Sequence, residues 1–328
     1  MNAVVRQNAA RLATLALCAA AVAVPWGGSA FYTELAAKTL VLSIFAMSLD
    51  LLVGFTGLVS FGHAAYFGVA AYVVALLTPK FEPANLWIAL PASVATAALV
   101  ALVIGFFVLH TRGVYFIMVT LAFAQMMYFL FHDTGIGGGS DGVYVNFKPD
   151  AGLFGIRPFD LANARHLYYF IAALALLTYA TLARILRSPF GRALAGIRSN
   201  EPRMRSLGYP TFRYKLAAFT LAGAFAGLAG FLYAVLYGFV TPELLAWHQS
   251  GSVLLMVILG GMGTLFGAVM GAVAFVGLQE VFSNLTKHWQ LAMGAVIVLA
   301  VLGLPGGLAR LPGRIRSAIA QAGRARWP

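Results

Sequence analysis

The sequence predicts an all-α polytopic membrane protein of about ten transmembrane helices, some short or interrupted by glycine, and three observations carry that expectation. Apolar residues make up 61% of the 328 and charged residues only 10%, against about 25% charged in an ordinary soluble domain. Apolar runs recur from end to end, many near the roughly 20 residues that a helix rising about 1.5 Å per residue needs to cross a bilayer core of about 30 Å. The basic residues gather in loops or stand at the ends of these runs, the distribution of cytoplasmic segments under the positive-inside rule. A net charge of +12 would suggest nucleic acid if it formed a patch on a folded domain, but here it is divided among loops. The single cysteine, Cys18, excludes a disulfide framework and a cysteine-built metal site, and reads as a small core hydrophobe.

The first five expected spans are Leu12–Ala30, Ala37–Phe55, Leu58–Leu77, Leu86–Leu109 and Val114–Phe131. A hydrophilic, glycine-rich stretch from His132 to Arg165 follows, then spans at His166–Leu186, Leu216–Phe239 and Trp289–Leu304. Gly251 to Phe282 is too long for one untilted helix and contains Gly260, Gly261, Met262 and Gly263. Reading that cluster as a turn between two spans makes ten, with both termini on the side of the Arg184–Lys215 loop. Arg6, Arg11, Arg112, eight basic residues of that loop and five between Arg310 and Arg326, sixteen of 22, then share one face. The eighth span must be short or draw on residues from Glu243 onward. Arg6 and Arg11 ahead of an apolar run containing Ala21-Val22-Ala23 also fit a cleaved signal sequence, whose loss would remove one span and leave the orientation of the rest unchanged. Residues 1–328 read as a single transmembrane domain with an external loop at 132–165, a cytoplasmic loop at 187–215 and a basic cytoplasmic tail at 305–328.

Little in the sequence suggests catalysis. There is no Gly-x-x-x-x-Gly-Lys-Ser/Thr phosphate loop, no closely spaced histidine pair suited to a metal, and only the nearness of Ser60 and His63 to suggest an activated nucleophile. The informative segment is Gly54-Phe-Thr-Gly-Leu-Val-Ser-Phe-Gly-His-Ala-Ala-Tyr-Phe-Gly68. Irregular backbone at membrane depth survives only where it is buried in protein or faces a water-filled cavity. Gly54, Gly57, Ser60, Gly62 and His63 are therefore candidates to line a translocation path, as are Gly260, Gly261 and Gly263 in the second half. Equally, the glycines serve close helix packing, with His63 bonding a neighbouring carbonyl. Asp50 is the acidic residue well inside an expected span, a functional candidate by its position, either as a hydrogen-bonded structural group or as an ion-coupling one.

The 187–215 loop has more pattern than a solvated loop needs. Pro189 suits a first helical turn, Ser199 or Asn200 before Glu201-Pro202 is a helix start, and Gly208 followed by Pro210 is a stop. Two short helices joined near Ser199 follow. Leu194 and Ile197 give the first an apolar edge flanked by Arg192 and Arg198, which suits a docking surface; the alternative is a basic loop resting on anionic lipid head groups.

This loop and the 54–68 segment, together with Arg112-Gly-Val-Tyr-Phe, Gly138-Gly-Ser-Asp-Gly142, Ser188-Pro-Phe-Gly-Arg-Ala-Leu, Ile197-Arg-Ser-Asn-Glu201 and Gly260-Gly-Met-Gly-Thr264, resemble the LivM-type permease subunits of ATP-binding-cassette importers for branched-chain amino acids. The resemblance runs from about residue 45 to 305. It implies an inner-membrane subunit that forms the translocation path with a homologous permease and receives substrate from a periplasmic binding protein. It also implies two cytoplasmic ATPase subunits, which would hold ATP and magnesium and leave this chain without a cofactor. The coupling loop would correspond to Ser188–Gly208, with Gly191, Arg192, Asn200, Glu201 and Gly208 at matching positions. Where importers often carry Glu-Ala-Ala, this chain has Glu201-Pro202-Arg203. An ion-coupled secondary transporter using Asp50, or a permease for urea and short amides, are the other readings.

Overall fold

A computed structural model describes residues 25, 29–79, 81–152, 159–303 and 306–310. Nearly all of the expected first span, with Cys18 and the signal-sequence question, and the tail beyond 310 lie outside the described residues. Within them the chain is an all-α polytopic membrane protein. Six helices are long and apolar enough to cross a bilayer, and helices occupy nine of the ten expected span positions.

The helices are α1 (Ala30–Asp50), α2 (His63–Leu77), α3 (Leu86–Val108), α4 (Val114–Asp133), α5 (Ala164–Arg187), α6 (Pro189–Ser199), α7 (Glu201–Ser206), α8 (Thr211–Tyr237), α9 (Trp247–Gly260), α10 (Leu265–Leu285) and α11 (Trp289–Gly303). Asparagines start two of the long ones: Asn85 and Asn163 accept the amides of Trp87 and Arg165, satisfying donors that a helix start leaves free.

The bundle is organised around α1 and α8. Helix α8 packs on α1, α2 and α3, and it can approach closely because its contact face is made of small residues. Gly223 lies against Ala101, Gly227 against Ala97, and Gly230 against the Phe67 carbonyl. Small residues four apart let helix backbones meet where no hydrophobic effect pulls them together in lipid. Helix α4, by contrast, turns most of its surface outward and buries Phe116, Thr120 and Ala124.

Two expected spans differ from their predicted form. The expected Leu58–Leu77 helix begins only at His63 and has 15 residues, about 22 Å of rise. Gly57, in the left-handed region at φ 75°, ends the preceding helix, and 58–62 form an irregular return. The expected Ala37–Phe55 span starts earlier, at Ala30, and after Asp50 it winds into a single π-turn, Leu51–Thr56. The Gly260–Gly263 cluster is a turn, as expected, and α9 is short and recruits residues from Trp247.

The bundle has two chemically distinct ends. At one, strand β1 (Val143–Tyr144) pairs antiparallel with β2 (Phe239–Val240), and Asp150 exchanges backbone hydrogen bonds with Ala84 and Leu86. Burial there lowers the pKa of Lys148, opposed by the nearby charges of Glu34 and Asp160. The other end gathers the π-turn, α6, α7, the α9–α10 turn and the His110–Phe212 ring contact. Glu34, Asp150 and Asp160 thus lie away from the basic loop, whereas Asp50 and Glu201 lie at its end of the bundle.

Candidate functional site

The α1 terminus brings the two halves of the sequence together. A helix end leaves its last carbonyls without intrahelical donors, and a π-turn shifts which ones remain. Leu52 O receives the amides of Gly57 and Leu58 and the hydroxyl of Thr56, while the Gly54 carbonyl accepts from the guanidinium of Arg198 on α6. A cation there also complements the negative end of the helix dipole. Asp50 lies four residues earlier on the same face. Its Oδ1 accepts the Gly263 amide at 2.7 Å, and its Oδ2 is buried with no hydrogen-bond partner among the described residues.

Glycine is required at this meeting point. A Cβ on Gly54 would overlap both the Asp50 carboxylate and the Gly263 amide. Gly57 lies beneath the Arg198 side chain, where a Cβ would sit 3.2 Å from Cγ. Gly263 has φ 80°, in the left-handed region that favours glycine. Asp50 thus joins α1 to the α9–α10 turn through a hydrogen bond.

The irregular 57–62 return is held by hydroxyls. Phe61 donates its amide to Thr120 of α4 at 3.2 Å, Gly62 to Ser60 at 3.2 Å, and Ala64 to Ser250 of α9 at 2.8 Å. His63 is fully buried and stacks on Phe45. Its Nε2 lies 2.8 Å from the hydroxyl of Ser48. That hydroxyl donates to the Phe45 carbonyl, so its lone pair receives the Nε2 proton. The carbonyl partner expected for His63 is thus a hydroxyl. Ser60 bonds within its own turn, and no Ser60–His63 nucleophile pair is formed.

The path candidates are mostly sites of close contact. Asp50, Gly54, Ser60, Gly62, His63, Gly260 and Gly261 are buried, Gly263 is half-buried and Gly57 reaches the surface. A Cβ on Gly62 would come within 2.6 Å of the Thr120 carbonyl, and one on Gly260 would overlap the Gly267 carbonyl. Among the described residues, glycines of both segments lie in close contact with their neighbours. Ser48, Thr120 and Ser250 were missed by sequence reasoning. A hydroxyl in an apolar span usually bonds its own helix, so nothing in the pattern distinguishes these three.

Helices α6 and α7 form the expected pair, joined at Asn200, whose side chain accepts the Arg203 amide. Two features differ from expectation. Leu194 and Ile197 are 0% and 3% exposed, so the apolar edge anchors α6 to the bundle and is not presented for docking. Arg198, expected as a basic flank, is exposed yet directs its guanidinium to the Gly54 carbonyl, whereas Arg192, also exposed, donates to the Arg187 carbonyl. Gly191 is buried against the backbone of Leu186, and Gly208, at φ 84°, follows the end of α7. Glu201 ties α7 to the start of α8 through Lys215 and Thr211 (3.1 Å), and pairs within α7 with Arg205 (2.7 Å). Burial would raise its pKa, but these partners together hold its carboxyl below the usual range. Besides Arg198, whose guanidinium is engaged by Gly54, the exposed residues of this surface include Arg192, Ala195, Asn200, Pro202, Arg203 and Leu207. Among the described residues, no group of three His, Cys, Asp or Glu side chains is placed to hold a metal.

Comparison with known proteins places this geometry in context. The family model described as the branched-chain amino acid transport system permease component matches residues 31–302. The chain is 33% identical over 317 residues to the high-affinity branched-chain amino acid transport system permease protein LivM of Salmonella typhimurium, covering 91% of this chain and 74% of that one. Identity and coverage are the same for LivM of Escherichia coli K12. A shorter match, 32% over 146 residues, joins 42% of this chain to 40% of the autoinducer 2 import system permease protein LsrC of Klebsiella pneumoniae. No solved structure matches.

Proposed function

We propose a function from one premise: the chain belongs to the family of branched-chain amino acid transport system permease components. It is the membrane subunit of an ATP-driven importer for branched-chain, apolar amino acids. It pairs with a homologous permease, docks two ATPase subunits through the outward surface of α6 and α7, and receives substrate from an external binding protein. ATP and magnesium belong to the ATPase chains, and this chain needs no cofactor. The basic end faces the cytoplasm of a bacterial inner membrane, with both termini on that side.

The observation that carries the reading is the pair α6–α7 at the basic end, a folded surface that a solvated loop or a lipid-contact loop would not require. Because the glycine segments close on their neighbours within one chain, the passage runs along the surface shared with the second permease. The exposed Gly57 and the half-buried Leu58, Val59 and Phe61 are the residues of the first segment left free to face it. Asp50 is engaged by Gly263, which favours this reading over an ion-coupled transporter.

The test is reconstitution. Uptake of leucine, isoleucine or valine into liposomes is expected only when both permeases, the ATPases, the binding protein and ATP are present. The isolated chain should bind amino acid weakly or not at all. Concentrative uptake by this polypeptide alone under an ion gradient would overturn the proposal. A cysteine near Arg205 should be shielded from impermeant reagents in intact cells and one near Asp150 should react; the reverse would invert the orientation.

A further inference from the structure

One side chain of the ATPase-facing helices reaches the backbone at the end of α1. Helix α6 touches the π-turn, and its Arg198 crosses the bare backbone of Gly57 to reach the Gly54 carbonyl. That carbonyl is next to Gly263, whose amide is held by Asp50, and a Cβ on Gly263 would lie 3.1 Å from Gly54 O and 3.4 Å from an Arg198 terminal nitrogen. One guanidinium therefore sits where three elements converge: α6, the end of α1 and the α9–α10 turn. Three glycines without side chains make the room it occupies.

The convergence has a mechanical meaning. Leu194 and Ile197 bury the other face of α6, so a displacement of α6 carries Arg198 with it. The α1 end is wound as a π-turn, and such single turns occur often at functional sites and are less regular than the α-helix around them. A pull on the Gly54 carbonyl acts on that turn, and through Asp50, on the same helix face, it acts on Gly263 and the α9–α10 turn.

We infer that Arg198 is the positioning residue that transmits movement of the α6–α7 surface to the π-turn of α1 and to the α9–α10 turn, and so links ATP hydrolysis on the partner chains to opening of the passage. This inference rests on the importer reading. Arg198 does not touch substrate; it acts through Gly54 and the Asp50–Gly263 contact. The guanidinium, planar and permanently charged, holds its geometry in a way that a lysine ammonium does not reproduce.

The experiment uses the complete reconstituted complex with Arg198→Ala and Arg198→Lys. Three quantities are read: copurification of the ATPases, ATP hydrolysis stimulated by the loaded binding protein, and amino acid taken up per ATP hydrolysed. In Arg198→Ala, copurification and hydrolysis should stay within about twofold of the parent while uptake per ATP falls by about tenfold, the size of an ordinary coupling free energy. Arg198→Lys should recover part of that ratio. An unchanged uptake ratio in Arg198→Ala would overturn the inference. So would loss of ATPase copurification, which would make Arg198 a docking contact. If Arg198→Ala is not recovered as a folded membrane protein at all, an unchanged ratio in Asp50→Asn, which weakens the carboxylate on the same face, would equally overturn it. Failure of the importer reading is separate: the parent complex itself would then show no ATP-dependent uptake.

Discussion

The two glycine-rich segments have similar composition and opposite uses. In the 260–271 segment the helical glycines meet their own neighbourhood, Gly260 against Gly267 and Gly271 against Met256, and zip α9 onto α10, while Gly261 and Gly263 in the turn between them meet Gly306 and Gly54. In the 54–68 segment each glycine meets a distant element: Gly54 the α9–α10 turn, Gly62 helix α4, and Gly68 the Leu245 side chain and backbone. The first arrangement makes a local hairpin, and the second makes a junction. Glycine content therefore marks where backbones approach, while the partner decides whether the approach builds an element or joins several.

Substitutions can break that contrast. Gly260→Leu drives a side chain into the Gly267 backbone between two adjoining helices that cannot separate; the cost should exceed the roughly 3 kcal/mol of ordinary overpacking, and size-exclusion chromatography in detergent should show no folded monodisperse species. Gly62→Val meets Thr120 on the peripheral helix α4, which has room to retreat, so a loss of about 1–3 kcal/mol is expected, read as a lower thermal midpoint in a protein that still folds. If the two variants lose equal stability, the distinction between hairpin and junction fails.

Smaller effects sharpen it. Gly57→Ala should cost about 1–2 kcal/mol, from the left-handed backbone alone, while transport per ATP falls further than stability does because the Arg198 side chain lies over this residue. Equal losses in both measurements would reduce Gly57 to a turn residue.

Glu201→Gln lies outside both segments and should have the smallest effect, at most about 1 kcal/mol for a partly exposed ion pair. Its pH dependence has a defined sign. Glu201 has a lowered folded pKa, so its contribution is present above the unfolded value near 4.3 and is lost as pH falls through the lower folded value. Thermal midpoints of parent and variant should differ at pH 7 and converge as the pH drops below about 4. A gap that persists in acid would assign the effect to something other than the ion pairs with Lys215 and Arg205.

Much of the architecture was legible because a membrane leaves a chain few options. Span-length apolar runs forced helices, the basic residues sorted the loops to one end, and the proline, asparagine and glycine signals around 189–210 defined α6 and α7 closely. What escaped reading depends on tertiary partners. Leu194 has the same apolar character whether it anchors α6 or greets another protein, and only the fold showed that it faces inward. Arg198 resembled any basic flank until Gly54 stood beside it. The start of α2 at His63 depended on Gly57 adopting a left-handed conformation and on hydroxyls from α4 and α9 receiving the amides of the return.

The pairing of Val143–Tyr144 with Phe239–Val240 has a consequence for biogenesis. Its strands are separated by about a hundred residues, so during synthesis the first strand emerges long before its partner exists. Contacts of such separation form late, since closing the intervening loop costs entropy before the pairing returns anything. This end of the bundle is therefore completed only after α8 has been inserted, and a chain truncated or stalled before that helix would display an unclosed loop that quality-control proteases can reach.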